Sequence, residues 1–271
     1  MDKIYVKPKP PRAKNPSRSL LLVASSLGLA LALGGCTSGA ANPTPGSAPG
    51  TASGTGAEAQ SPSPTVAGEL GFVAGPDLEA ATSEWAKTQE GAVFTSDAAL
   101  RAQIPAAEKW LKDIKVVPSE CGLYGIGSLK EQLNEAVMAA VTLPEKLGAD
   151  ITVASYADLN ALVADVAAQQ HLDKSCEKYK ISSPQQEIST KLSDLKVDTS
   201  APYSAGTLMV TVNGGTESKQ VSVRAIDGHV MVTATRKASA NPADATKLAT
   251  ADVEAILKVL RDREAAAGAT P

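Results

Sequence analysis

Aromatic residues are nearly missing from this chain, with 2 Trp, 5 Tyr and 2 Phe among 271 residues, so any hydrophobic core must be assembled from Val, Leu, Ile and Ala. Histidine is rarer still. His171 and His229 stand alone, no second imidazole lies at a metal-ligand spacing from either, and zinc chemistry is therefore not expected. His229 follows Asp227-Gly228, where an Asp side chain serves as a turn former rather than as a catalytic carboxylate. There are only 3 cysteines and no Cys-x-x-Cys, so a dithiol redox centre is not expected. No apolar run reaches the roughly 20 residues that a membrane-spanning helix needs. A repeat of period 20 to 50, a Gly-x-Ser-x-Gly elbow and a phosphate-binding loop are all missing, and the glycines at Gly122, Gly125 and Gly127 read as breakers of regular structure. No metal and no cofactor is expected.

The most informative segment that is present lies near the start. Lys3, Lys7, Lys9, Arg12, Lys14 and Arg18 form a basic head, and Leu20 to Leu33 follow as an apolar stretch interrupted only by Ser25, Ser26 and Gly28. That is the layout of a secretory signal. It ends in Leu33-Gly34-Gly35-Cys36, which resembles a bacterial lipobox. The resemblance implies that Cys36 receives diacylglycerol, that the bond before it is cut, and that residues 1–35 are removed. Two or more acyl chains hold a protein durably at a membrane, whereas one does so marginally. The expected partner of Cys36 is thus the membrane, with the rest of the chain facing the extracytoplasmic side. The whole chain carries a formal charge of −3, and cleavage removes six basic residues against one acid, so the mature protein is more acidic still. Such a surface is a poor match for nucleic acid.

Residues 36–68 are dominated by Ser, Thr, Pro, Gly and Ala, with Glu58 as the one charge, and cannot bury enough apolar surface to fold. They read as a lipid-anchored tether, whose Ser/Thr/Pro content suits a glycosylated spacer as well as a bare one. Residues 69–271 are long enough for one domain with a core and a frayed C-terminal tail.

Within that domain Leu78 to Gln89 reads as a helix carrying Trp85, and Asp97 as the cap of a second helix interrupted at Pro105. Ile104, Ala107, Leu111 and Ile114 recur at helical spacing, with Trp110 at the edge of that stripe. Ala136 to Leu143 and Ile151 to Tyr156 read as strands, although the first could also continue a helix begun at Leu129. Asp158 caps a helix with Leu159, Leu162, Val163 and Val166 on one face, which continues through His171 to Cys176. Thr207 to Val212, Lys219 to Ile226 and His229 to Arg236 form a meander, joined at Asn213-Gly214-Gly215 and Asp227-Gly228 by residues that tolerate positive φ. In the meander Val221 and Val223 alternate with Ser222 and Arg224, so one sheet face is apolar and the other partly wet. Asn241-Pro242 opens a last helical region that Thr250 recaps, and Val253, Ile256, Leu257 and Leu260 give it an apolar stripe. The expected fold class is α+β: an antiparallel sheet of four to six strands with helices on one face.

With Cys36 lipidated, Cys121 and Cys176 are an even pair in an oxidising exterior and are read as a disulfide. Ser175 to Lys178 and Ser193 to Lys196 match Ser-x-x-Lys, a spacing that can set a lysine base beside a serine nucleophile on a helix. The Ser-Asp-Asn and Lys-Thr-Gly elements that support this match in penicillin-recognising enzymes do not occur here. Val117-Pro118-Ser119-Glu120-Cys121-Gly122, then Ile151 to Asp158 leading into an Ala/Val helix and Cys176, resemble a group of actinobacterial lipoproteins similar to the PknH-like extracytoplasmic sensor domain. The second cysteine pair usual in those sensor domains does not occur in this chain. The resemblance implies an α+β, envelope-exposed domain of binding or sensing type without catalytic residues, and it carries over no ligand-binding residue. The expected function is therefore a non-enzymatic lipoprotein that binds an envelope ligand or a protein partner. Two other readings stay open: a hydrolase with a serine nucleophile, and a lipid or glycolipid carrier with an apolar cavity beneath the sheet.

Overall fold

The computed structural model describes residues 68–121, 136–183, 186–238 and 241–268. The signal segment, Cys36 and the tether up to residue 67 lie outside the described residues, as do Gly122, Gly125, Gly127, the segment from Leu129 and the last three residues of the tail.

The elements run in the order α1 (Gly75–Lys87), β1 (Val93–Thr95), α2 (Asp97–Arg101), α3 (Ile104–Asp113), β2 (Lys115–Val117), a 3-10 turn (Ser119–Cys121), β3 (Ala136–Thr142), β4 (Ala149–Tyr156), α4 (Leu159–Ser175), β5 (Lys178–Ser183), β6 (Gln186–Leu195), β7 (Tyr203–Asn213), β8 (Thr216–Asp227), β9 (Val230–Lys237) and α5 (Pro242–Gly268). The strands form one sheet in the order β1-β3-β4-β9-β8-β7-β6-β5-β2. Every neighbouring pair is antiparallel. The α+β class stands, but the sheet has nine strands among the described residues, not four to six. β5 and β6 account for much of the difference. Both are poor in bulky apolar residues: β5 has only Tyr179 and Ile181 between Lys178, Lys180 and Ser182, and β6 carries Gln186, Glu187, Lys191, Ser193 and Asp194. They are strands because a neighbour already in the sheet offers them a hydrogen-bonding edge.

The described helices also pack on both faces, not on one. On the first face α1 and α5 cover Val141, Ile151, Val153, Val221, Val223, Val230 and Val232, and Leu257 and Leu260 of α5 sit in the same core. On the second face Leu162 and Val166 of α4 pack with Met138, Ala154, Tyr156, Ile226 and Met231, and Leu100 of α2 joins them. The cause lies in β4 and β9, which are buried along nearly their whole length on both sides.

Local sequence explains most element boundaries. α1 buries Leu78, Ala81, Thr82 and Trp85 at helical spacing, and starts three residues before Leu78 because Pro76 fits a first turn. α2 is capped by Ser96, whose Oγ accepts from the Ala99 amide, so the cap is one residue before Asp97. Asp97 instead accepts from the Met138 amide at 3.0 Å and ties α2 to β3. Residues 136–142 are strand, which decides against their continuing a helix. α5 is one uninterrupted helix, and Thr250 caps nothing: its stripe from Ala245 to Leu260 is buried continuously, so packing leaves no reason to break. Both predicted hairpins are present, with Asn213 opposite Thr216 across Gly214 and Gly215 (φ +56° and +82°), and Asp227 opposite Val230 across Gly228 (φ +56°) and His229.

Cys121 and Cys176 are bonded, with their Cα atoms 5.5 Å apart. The bond joins the turn after β2 to the residue that follows α4, and so holds the edge strand β2 against β5.

Candidate functional site

Partners in an antiparallel register share a sheet face, and steps of two along a strand stay on it. Applied to the second face, the register places Thr142, Asp150, Thr235, Ser222, Thr207 and Asp194 in one row across β3, β4, β9, β8, β7 and β6. The adjacent row holds Thr152, Thr233 and Arg224. The next contains the apolar residues Met138, Ala154, Met231 and Ile226 that α4 helps to cover. The second face is thus apolar at one end and lined by hydroxyls, carboxylates and a guanidinium at the other.

The polar end has deep burial at its floor. Thr152, Thr233 and Thr235 are 9%, 6% and 2% exposed. The Oγ1 atoms of Thr233 and Thr235, Nε of Arg224 and Oε1 of Gln169 are buried and have no hydrogen-bond partner among the described residues. Buried polar groups are nearly always paired, and leaving one unpaired costs about 1–3 kcal/mol. Three of these atoms lie on the second sheet face and the fourth on α4, which packs over that face.

α4 supplies the wall. Asp165 accepts from the Tyr156 hydroxyl at 2.9 Å, Gln169 donates to Asp173 at 2.9 Å, and Gln170 donates to the Tyr203 hydroxyl at 3.0 Å. Burial pushes the Asp173 carboxyl above the ordinary carboxylate value, while the Gln169 hydrogen bond and the positive charge of Arg224 pull it partly back. Burial likewise raises Asp150, against a hydrogen bond from Thr142. The Tyr156 phenol is held well above its usual range by burial and then by the neighbouring Asp165 carboxylate, so it stays protonated and donates. Burial raises Tyr179 too, and that residue lies within the electrostatic reach of Asp173. Chemically the arrangement offers donors and acceptors side by side, with carboxylates outnumbering the single guanidinium.

The residues singled out from the sequence are elsewhere or are structural. Trp110 lies on α3 at 40% exposure, on the rim of the domain. His171 is exposed on α4, and the Nδ1 atom of His229 is 2.7 Å from the Tyr156 carbonyl oxygen, which fixes the β8–β9 turn. Ser175 ends α4 while Lys178 begins β5, and Ser193 is exposed on β6. Neither Ser-x-x-Lys match therefore has its two residues on a helix. Among the described residues no three His, Cys, Asp or Glu side chains gather as a metal site, and no helix is long and apolar enough to cross a membrane. Arg224 and Ser222 were visible in the sequence only as the wet side of a strand. Thr233 and Thr235 carried the same signal, two hydroxyls at alternate positions in a strand whose preceding residues are Val and Met.

No family model matches the chain, and no curated protein matches it. Among solved structures it is similar to the extracellular domain of PknH from Mycobacterium tuberculosis, with a TM-score of 0.46 and 12% identity over 70% of this chain and 98% of that one. It is also similar to an uncharacterized protein from Mycobacterium smegmatis, with a TM-score of 0.36 and 12% identity over 66% of this chain and 96% of that one. The first belongs to the group that the sequence resemblance named. At such identity and overlap the likeness carries no conclusion about this chain's chemistry.

Proposed function

We propose that this chain is a lipid-anchored, extracytoplasmic binding domain of sensor type that takes its ligand on the polar half of the second sheet face, against α4. The observation that carries the reading is the set of buried, unpartnered atoms on Thr233, Thr235, Arg224 and Gln169. A face built only for stability would have paired these atoms or replaced them with apolar side chains. The formed Cys121–Cys176 bond supports an oxidising compartment, and the lipobox resemblance at Cys36 supports anchorage to the outer side of the cell membrane. The tether then sets the domain off the lipid at a root-mean-square reach of about 30 Å.

The test is retention. The full chain is purified from envelope material, washed, and the small molecules that remain bound are identified by mass spectrometry beside an Arg224→Met variant. The expected result is a species enriched on the wild type and depleted on the variant. Identical, blank profiles from both proteins would end the binding reading.

A further inference from the structure

The chemistry of this face narrows what it can hold, on the premise that it is the binding face proposed above. We infer that the ligand is an uncharged polyhydroxylated molecule, a saccharide unit, hydrogen-bonded between Arg224, Thr233 and Thr235 on the sheet and Gln169 and Asp173 on α4.

Each other class meets an obstacle. A phosphate or carboxylate would satisfy Arg224, but it would enter beside Asp173, whose carboxyl already lies within electrostatic reach of Arg224 and Asp194. Asp150 and Asp165 add negative charge on the same side of the sheet, and like charges at close range oppose binding. An amine would find those carboxylates, but it would sit against the guanidinium and leave the buried Nε of Arg224 without an acceptor. An apolar ligand would seal Thr233 Oγ1, Thr235 Oγ1, Arg224 Nε and Gln169 Oε1 away from any partner, and each such loss opposes binding.

A sugar hydroxyl avoids all three conflicts because it donates and accepts at once. It can donate to Gln169 Oε1 or to a carboxylate and, through its oxygen, accept from Arg224. Threonine hydroxyls serve in either sense.

The experiment titrates the full chain, in detergent micelles, with three kinds of probe: a panel of neutral di- and trisaccharides, inorganic phosphate, and 1,4-diaminobutane. Binding is followed by calorimetry and saturation-transfer NMR. Neutral saccharides are expected to bind, and Arg224→Met to weaken them about tenfold, as loss of a hydrogen bond to a charged group does. Thr235→Val should weaken them severalfold while leaving the thermal midpoint of the free protein unchanged or higher, because the hydroxyl it removes has no protein partner. Phosphate or diamine binding that depends on Arg224, with saccharides inert, would overturn the ligand class and leave the binding reading standing. Saccharide binding indifferent to both substitutions would overturn the site. A Thr235→Val protein that binds normally but melts earlier would show the hydroxyl to be structural and overturn the assignment. If no probe binds, the saccharide class fails, and the retention experiment decides separately whether the binding reading fails with it.

Discussion

The guanidinium of Arg236 meets the carboxylate of Asp252 in a two-bond fork, Nε to Oδ2 at 2.7 Å and a terminal nitrogen to Oδ1 at 2.8 Å, with both side chains under 10% exposed. The pair locks β9 to α5 inside the larger core. A buried ion pair gains little over an apolar pair of the same shape, but removing one partner strands the other charge. Arg236→Met should therefore lower stability by about 3–5 kcal/mol, and Arg236→Met with Asp252→Leu should recover most of that loss. Urea denaturation of the two single variants and the double variant measures the difference. Asp150 behaves in the opposite sense because burial, not a charge partner, sets its carboxyl. Its folded pKa lies above the ordinary 3.8, so at pH values between the two the folded state holds a proton that the unfolded state has released. Its contribution is most favourable below 3.8 and is lost as pH rises through the folded value. Asp150→Asn should accordingly raise the melting temperature at pH 7, and its advantage should shrink as pH falls toward 3.8, which a melting series across pH would display.

At the scale of elements, two devices hold the periphery to the sheet. The first is the stretch from Gly68 to Val73 that leads into α1. The Glu69 amide donates to Asp227 at 2.7 Å, the Leu70 carbonyl accepts from the His229 amide at 2.8 Å, the Val73 amide donates to Ser155 at 2.8 Å, and Leu70 is 1% exposed. Asp227 is in turn paired with Arg261 of α5 at 2.6 Å. A side chain at Gly228 would collide with the Leu70 carbonyl at 2.0 Å, so the approach of this stretch to the β8–β9 turn requires glycine there. The second device is the disulfide. Cys121 and Cys176 are 55 residues apart, and closing a loop of that size in the unfolded chain corresponds to about 4 kcal/mol by chain entropy. The Cys121→Ser, Cys176→Ser variant should lose stability of that order in denaturant titration and keep its ligand binding wherever it remains folded. Lost binding with stability barely changed would instead give the cysteines a functional role.

On the scale of the whole molecule, anchorage and folding are separable. The expected acyl chains depend on Cys36, whereas among the described residues the core begins at Leu70. Cys36→Ala should abolish incorporation of labelled fatty acid and leave an unprocessed precursor, and equal labelling of wild type and variant would remove the lipoprotein reading. A fragment beginning at Glu69 should stay soluble and melt in one cooperative transition, because it keeps Leu70 and the Asp227 contact and, of the expected mature chain, lacks only a tether with little to bury.

What the sequence determined by itself was local chemistry. Glycines at 214, 215 and 228 set both hairpins, because positive φ is easy only there. The stripe of Val253, Ile256, Leu257 and Leu260 declared a helix with one buried face. Cys121 and Cys176, the pair left once Cys36 is read as a lipidation site, were legible as the disulfide they form. The tertiary structure decided whatever depended on distant partners. Polar β5 and β6 became strands through a neighbour's open edge, and α4 went to the second face because Ala154 and Tyr156 of β4 and Met231 of β9 offer it an apolar patch there as well. The candidate site is of this second kind. Thr142, Asp173, Arg224 and Thr235 are far apart in the chain, and period-two alternation says only that such residues leave the core face. Antiparallel register brings the sheet residues among them into adjoining rows, and α4, packed over the neighbouring apolar row, carries Gln169 and Asp173 to the same side. No local pattern encodes that meeting, because it follows from pairings such as Asp150 with Thr235, between strands far apart in the chain.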